Sequence, residues 1–161
     1  MTVYNGQEWT QSEGEDQYRR GVYTFIKRTS PYPSMITFDG SSREVCLGRR
    51  IRTNTPLQAL VTLNDSVFVD ASRALAKQMT KDKASPREAI SDGYWRLTFR
   101  EMSAPKLSAM SDLYKQALQT YSADTAAAHA ITADRAGTTE LAAMTVVANA
   151  LLNLDEVVMK E

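Results

Sequence analysis

Between Arg43 and Asp65 the chain reads REVCLGRRIRTNTPLQALVTLND, a short run that holds four arginines, two carboxylates and the single cysteine. Arg49, Arg50 and Arg52 stand beside Thr53 and Asn54. Guanidinium forks so closely spaced suit a carboxylate or sulfate, so Arg49, Arg50, Arg52 and Asn54 form a candidate anion- or ligand-binding set. The plainer reading is preferred: arginines of an irregular loop brace it against helix ends or against Asp39, Glu44 or Asp65, giving hydrogen bonds that backbone does not. A deep pocket lined by Asp39, Arg52 and Asn54, with a carboxylate of raised pKa, would instead favour catalysis. Cys46 has charged neighbours that could lower its pKa, but a buried, inert cysteine is the commoner outcome.

Elsewhere the chemistry is sparser. His129 is the single histidine and sits in an alanine-rich stretch near Asp134, which is not a metal-binding pattern. Asp155 and Glu156 are adjacent, so on a helix their side chains diverge and cannot flank one bond. Capping or ion pairing is the expected role. No glycine-rich phosphate loop, G-x-S-x-G elbow, H-E-x-x-H or C-x-x-C-H motif occurs. No catalytic, cofactor-binding or metal-ligating residue is therefore assigned.

The elements that must hold these residues follow from punctuation and period. Thr55-Pro56 is a cap followed by a first-turn proline, after which Leu57, Leu60, Val61 and Leu63 are expected to face inward. Asn64-Asp65 breaks the run; Asn64 can take the left-handed conformation and Asp65 can cap the next helix. Phe68, Ala71, Leu75 and Met79 make the apolar stripe of a helix over 66–80. Ser85-Pro86 opens another over 86–99, with Ile90, Tyr94 and Leu97 on one side. Ser103 starts a third, over 104–122, with Leu107, Met110, Tyr114, Ala117 and Tyr121. Asp124 begins a short helix through Ile131. Gly137-Thr138 precedes a last one over 138–152, with Leu141, Met144, Ala148 and Leu151 toward the core. The expectation is an all-α bundle of about five or six helices.

Residues 1–54 read differently, being rich in proline, glycine and aromatic side chains. The segment 15–28 fits a short helix or a strand, Pro31 and Pro33 point to an extended path, and Phe38 to Ser42 is turn chemistry. Residues 1–54 are expected to be irregular and to wrap a helical body, 55–161, within one domain.

Composition bounds function. The 161 residues are 43% hydrophobic and 24% charged, with no net charge. A chain this long can bury a substantial core, and it offers no global field for nucleic acid or membrane. Charge is unevenly placed: −4 over residues 1–16, +6 over 17–52 and −2 beyond. One cysteine allows no internal disulfide. The first residues lack the basic start and apolar stretch of a signal peptide, and no apolar run approaches a membrane span.

Several stretches together carry a resemblance. They are Tyr18 to Phe25, Arg28-Thr29-Ser30-Pro31, Pro33-Ser34-Met35, Thr37-Phe38-Asp39, Arg43-Glu44-Val45-Cys46, Arg49 to Leu60, Asn64-Asp65 and the ending Leu151 to Glu156. The chain resembles the PSD-one domain, a C-terminal domain of unknown function in large proteins of Planctomycetes and Bacteroidetes-like bacteria. The resemblance implies an exported, extracytoplasmic parent protein in which the domain follows a cytochrome-associated domain and often a c-type cytochrome module. Any haem would then belong to other domains, with no cofactor in this chain. It also implies a domain extending upstream of Val3, so that this chain is its C-terminal part and Val22, Phe25, Ile26, Tyr32 and Met35 are left showing. Ser66 stands where the family commonly has proline after Asn-Asp.

Two functional classes follow. The first is a non-catalytic interaction or scaffold module, whose partners are other domains of the parent protein, c-type cytochrome modules among them, or an anionic glycan. The second is part of an enzyme acting on anionic polysaccharides, its site completed by residues upstream.

Overall fold

The computed structural model describes residues 12, 14–25, 32–41, 48, 53–81, 84–134 and 137–158. Among these there are eight α-helices and no strand: α1 (Pro33–Thr37), α2 (Pro56–Asn64), α3 (Ser66–Thr80), α4 (Pro86–Thr98), α5 (Ala104–Ala123), α6 (Thr125–Thr132), α7 (Thr139–Leu152) and α8 (Asp155–Val158). The all-α expectation holds. All six expected helices are present, and α1 and α8 are added to them. The chain forms two compact units, Met1–Leu60 and Val61–Glu161, with the boundary inside α2.

The described residues of the first unit include short helical pieces. Gly14–Tyr18 and Gly21–Tyr23 are short 3-10 turns. Pro33 starts a helix rather than prolonging an extended path. Its fixed φ suits the first helical position, while Tyr32 before it is extended, as a residue preceding proline prefers. The helix ends at Thr37 with Phe38 as its C-cap, and Asp39 follows with φ of 57°, a left-handed conformation that Asp tolerates better than most residues. Gly40 then donates its N–H to the Met35 carbonyl. A Cβ at Gly40 would lie 2.4 Å from that oxygen, so the close turn requires glycine. Tyr18, Val22, Tyr23, Phe25, Tyr32 and Ile36 are exposed. Met35, expected to show as well, is half-buried, and Ile26 lies outside the described residues.

The second unit is built on α7. From Leu141 onward α7 carries no charged residue, and Ala142, Ala143, Met144, Thr145, Val147, Ala148 and Leu151 are all buried. A helix apolar on every side belongs in the middle of a core. Helices α3, α4, α5 and α6 pack around it. Its alanines let backbones approach closely, and Thr145 returns its hydroxyl to the Leu141 carbonyl at 2.8 Å, so burial leaves that group bonded. Met79, Ile90, Met144 and Leu151 are among the largest fully buried side chains; each contributes about 1.5–3 kcal/mol by leaving water.

The caps agree with the sequence. Asp65, Ser85, Asp124 and Thr138 each accept a backbone N–H from the first turn that follows. Ser103 precedes α5 without such a bond. Asn64 stays within α2 and is not left-handed; that conformation falls instead to Phe99, with φ of 56°, and Ala133, with φ of 52°. The C-terminal end of α6 is closed from another helix: Arg73 of α3 donates Nε to the Ile131 carbonyl at 2.5 Å and also pairs with Asp70. A cation at a helix C-terminus meets both the unpaired carbonyls and the negative end of the dipole.

Two apolar stripes differ from expectation. On α3 the buried residues are Ser72, Ala76 and Met79, while Ala71 is exposed. Ser72 can be buried because its hydroxyl bonds the Phe68 and Val69 carbonyls. On α2 the reversal is larger. Leu57, Leu60 and Leu63 are 56%, 57% and 44% exposed, and the buried residues are Gln58 and Thr62. The inward polar face is stabilised by hydrogen bonds that only polar groups make.

Candidate functional site

Asp39, Thr53, Thr55 and Gln58 meet in the first unit. The left-handed turn at Asp39 presents its carboxylate to Thr53. That carboxylate accepts the Thr53 N–H at 2.7 Å and the Thr53 hydroxyl at 2.8 and 2.9 Å. Gln58 joins from α2, donating Nε2 to the Thr37 carbonyl at 2.8 Å, to Thr53 Oγ1 at 3.1 Å and to Asp39 Oδ2 at 3.4 Å.

The same glutamine closes the start of α2. Its Oε1 accepts the Thr55 N–H at 3.0 Å, and its own N–H goes to Thr55 Oγ1 at 3.3 Å. This is a reciprocal capping box, satisfying two helix-start donors at once. Gln58 is only 3% exposed, and both ends of its amide are bonded. An inward leucine there would leave these partners without it, which explains why α2 turns its polar face inward.

A second constellation lies in the second unit. Glu156 of α8 accepts from Lys106 of α5 and from the Tyr94 hydroxyl of α4, the latter at 2.8 Å. The Lys106 ammonium also lies 5.4 Å from the centre of the Tyr94 ring, a cation–π distance. The Lys106 hydrogen bond first, and the tyrosine hydroxyl next, hold the Glu156 carboxyl below its ordinary value. The hydrogen bond to Glu156 likewise pushes Lys106 up. Both charged forms are stabilised, the opposite of the tuning that general acid–base chemistry at neutral pH requires. The expectation that Asp155-Glu156 would cap or form salt bridges is met by Glu156.

Three further groups are shifted from their usual ranges. Burial raises Tyr114, with the Glu140 charge adding to it, and burial raises Tyr121. Glu140 is lowered by its own backbone N–H and by the hydroxyls of Thr138 and Thr139, as befits a carboxylate in the first turn of α7.

Of the sequence-derived candidates, Arg49, Arg50, Arg52 and Cys46 lie outside the described residues. Asn54 is exposed, beside Thr53. Nδ1 of His129 lies 3.3 Å from the Asp134 carbonyl. Asp39, weighed as a pocket carboxylate, instead joins two stretches of backbone. Gln58 was missed, although Thr55 and Gln58 have the spacing of a capping box. Lys106 and Glu156 are fifty residues apart, and nothing local signals their pairing. Among the described residues no group of three or more His, Cys, Asp or Glu could hold a metal ion, and no helix is long and apolar enough to cross a membrane.

A family model, PSD1, described as a protein of unknown function (DUF1553), matches residues 1–114. The match includes the whole Asp39–Gln58 constellation and reaches into α5. No curated protein and no solved structure matches the chain.

Proposed function

Since this chain belongs to the PSD1 family, we propose that it is a non-catalytic interaction module of an exported, multidomain, cytochrome-associated bacterial protein. The observation that supports this most is how Asp39 is used: its carboxylate accepts from Thr53 and Gln58 and thereby braces the loop against α2. Glu156 and Lys106 are likewise occupied with each other. These charges serve architecture.

The resemblance of Tyr18 to Leu60 to the PSD-one domain supports the extracytoplasmic location and the pairing with c-type cytochrome modules of the same polypeptide. Haem resides on those modules in this reading. The partners are such neighbouring domains and anionic glycans, which Arg49, Arg50, Arg52 and Asn54 are suited to meet.

The test pairs a binding measurement with an assay for turnover. Calorimetric titration of the purified chain with the cytochrome module of its own polypeptide, and with sulfated and uronic polysaccharides, should show saturable binding to at least one. The same incubations should release no new reducing ends. Catalytic release of oligosaccharides would overturn the proposal.

A further inference from the structure

The end of α4 carries two large aromatic side chains that the second unit leaves uncovered. Trp95 is 52% and Phe99 76% exposed. Their rings meet edge to face, 5.6 Å between centroids and 73° between planes, a favoured geometry for an aromatic pair. Phe99 holds its place in a left-handed conformation, φ 56°, at the helix C-cap. Glycine is the usual residue there because a side chain makes that backbone strained. The Phe99 ring is not buried in exchange, and among the described residues the ring it meets is that of Trp95. Strain kept at an exposed position points to a use outside the fold.

The charged neighbours define the kind of partner. Arg96 gives Nε to Asp92 at 2.6 Å, and its side chain is 44% exposed. Arg100 is exposed and forms no ion pair among the described residues, its backbone N–H going to Thr98. Glu101 follows, exposed as well.

We infer that Trp95 and Phe99, with Arg96 and Arg100 beside them, bind a polysaccharide bearing carboxylate or sulfate groups. The exposed rings stack on the C–H faces of sugar rings, and the guanidinium groups bond the anionic substituents. Size favours this over a protein partner. Two partly exposed aromatic side chains offer at most about 300 Å², whereas a stable protein interface takes about 800 Å² from each side. Among the described residues of the second unit, the other exposed large apolar ones are Leu63, on α2, and Val158, on α8.

This site rests on reading the chain as a non-catalytic module, and it is tested separately from that reading. Polygalacturonate, chondroitin sulfate and neutral dextran are titrated into the chain and into Trp95→Ala, Phe99→Gly and Arg100→Gln. At least one anionic polymer should bind, with dextran much weaker. Trp95→Ala and Phe99→Gly should each weaken binding at least tenfold, and Arg100→Gln severalfold, with the loss shrinking in salt. Phe99→Gly should melt at or above the unaltered chain, which separates lost binding from lost folding.

Unchanged affinity in both aromatic variants overturns the site while leaving the binding-module reading intact. Absence of glycan binding overturns it too. So does the finding that the two aromatic residues instead govern sedimentation with anionic phospholipid vesicles, or a dimer seen by ultracentrifugation. New reducing ends would sink the non-catalytic reading alone.

Discussion

Thr53 gives both its backbone N–H and its hydroxyl to the single carboxylate of Asp39, fourteen residues earlier. That pairing sets the far end of the loop at the mouth of α2, where Gln58 binds both partners and the Thr37 carbonyl besides. Replacing Gln58 by leucine supplies an apolar side chain of similar size and removes every one of these bonds. The expected cost is about 1–3 kcal/mol, because buried polar partners lose a bond that water does not replace. Urea unfolding checks it, and a variant as stable as the parent would show that the constellation contributes nothing.

The Thr55 cap predicts a smaller loss. Thr55→Ala should destabilise by about 1 kcal/mol, and its effect should not add to that of Gln58→Ala, since each residue satisfies the other in one box. Strict additivity in a double-mutant cycle would mean that the two bonds act independently.

The exposed face of α2 predicts near-neutral substitutions. Leu57→Ala and Leu60→Ala should each lie within about 0.5 kcal/mol of the parent, whereas Leu151→Ala, in the α7 core, should cost about 2–5 kcal/mol. Equal losses at the two places, read from denaturant midpoints, would restore the inward-leucine reading of α2.

These results bear on what sequence alone can disclose. Thr55, Asp65, Ser85, Asp124 and Thr138 were legible as caps because capping is local: a side chain and the N–H two or three residues on decide it. Which stripe of a helix faces inward is not local. Leu57, Leu60 and Leu63 have helical spacing, yet α2 turns the other side inward because Thr37, Asp39 and Thr53 supply polar partners there. Ala71 and Ser72 differ by one position on α3, and only the packing neighbours choose between them. The central place of α7 was written in its lack of charge after Glu140, a sign that a search for one-sided stripes passes over. For the candidate site, Asp39 and Thr53 stood out as residues but not as a pair, and Lys106 and Glu156 meet only once α8 packs against α4 and α7.

Acid and alkali should weaken the Lys106–Glu156 bond from opposite sides. Glu156 titrates below its usual 4.5 when folded, so its contribution is present above about pH 4.5 and fades as pH falls through the lowered folded value. Lys106 titrates above its usual 10.5, so its contribution is present below that value and is lost as pH rises through the raised one. Glu156→Gln should therefore cost about 1 kcal/mol near neutrality and progressively less toward about pH 3. Urea unfolding at a series of pH values reads this directly; a difference that stays constant into acid would mean that the pair adds no pH-dependent stability.

Gly93 offers a sign test of the packing. Alanine is better than glycine in a helix by about 1 kcal/mol, but a Cβ at Gly93 would lie 2.6 Å from the sulfur of Met79, which is fully buried. Overpacking typically costs about 1–3 kcal/mol, so Gly93→Ala should be neutral to destabilising by about 2 kcal/mol despite the propensity gain. A clear rise in melting temperature would show that Met79 moves aside freely.

The position of α7 in the chain has a consequence for biosynthesis. The helix on which α3, α4, α5 and α6 rest follows all four of them in the chain, so a ribosome releases four helices before their common support exists. Until Leu152 has cleared the exit tunnel, the nascent chain shows Met79, Ile90 and Tyr114 to whatever is nearby, and it depends on speed or on chaperones to avoid misassembly. A message broken before the codon for Thr139 would therefore leave the second unit without its central helix, an adhesive polypeptide for proteases to clear.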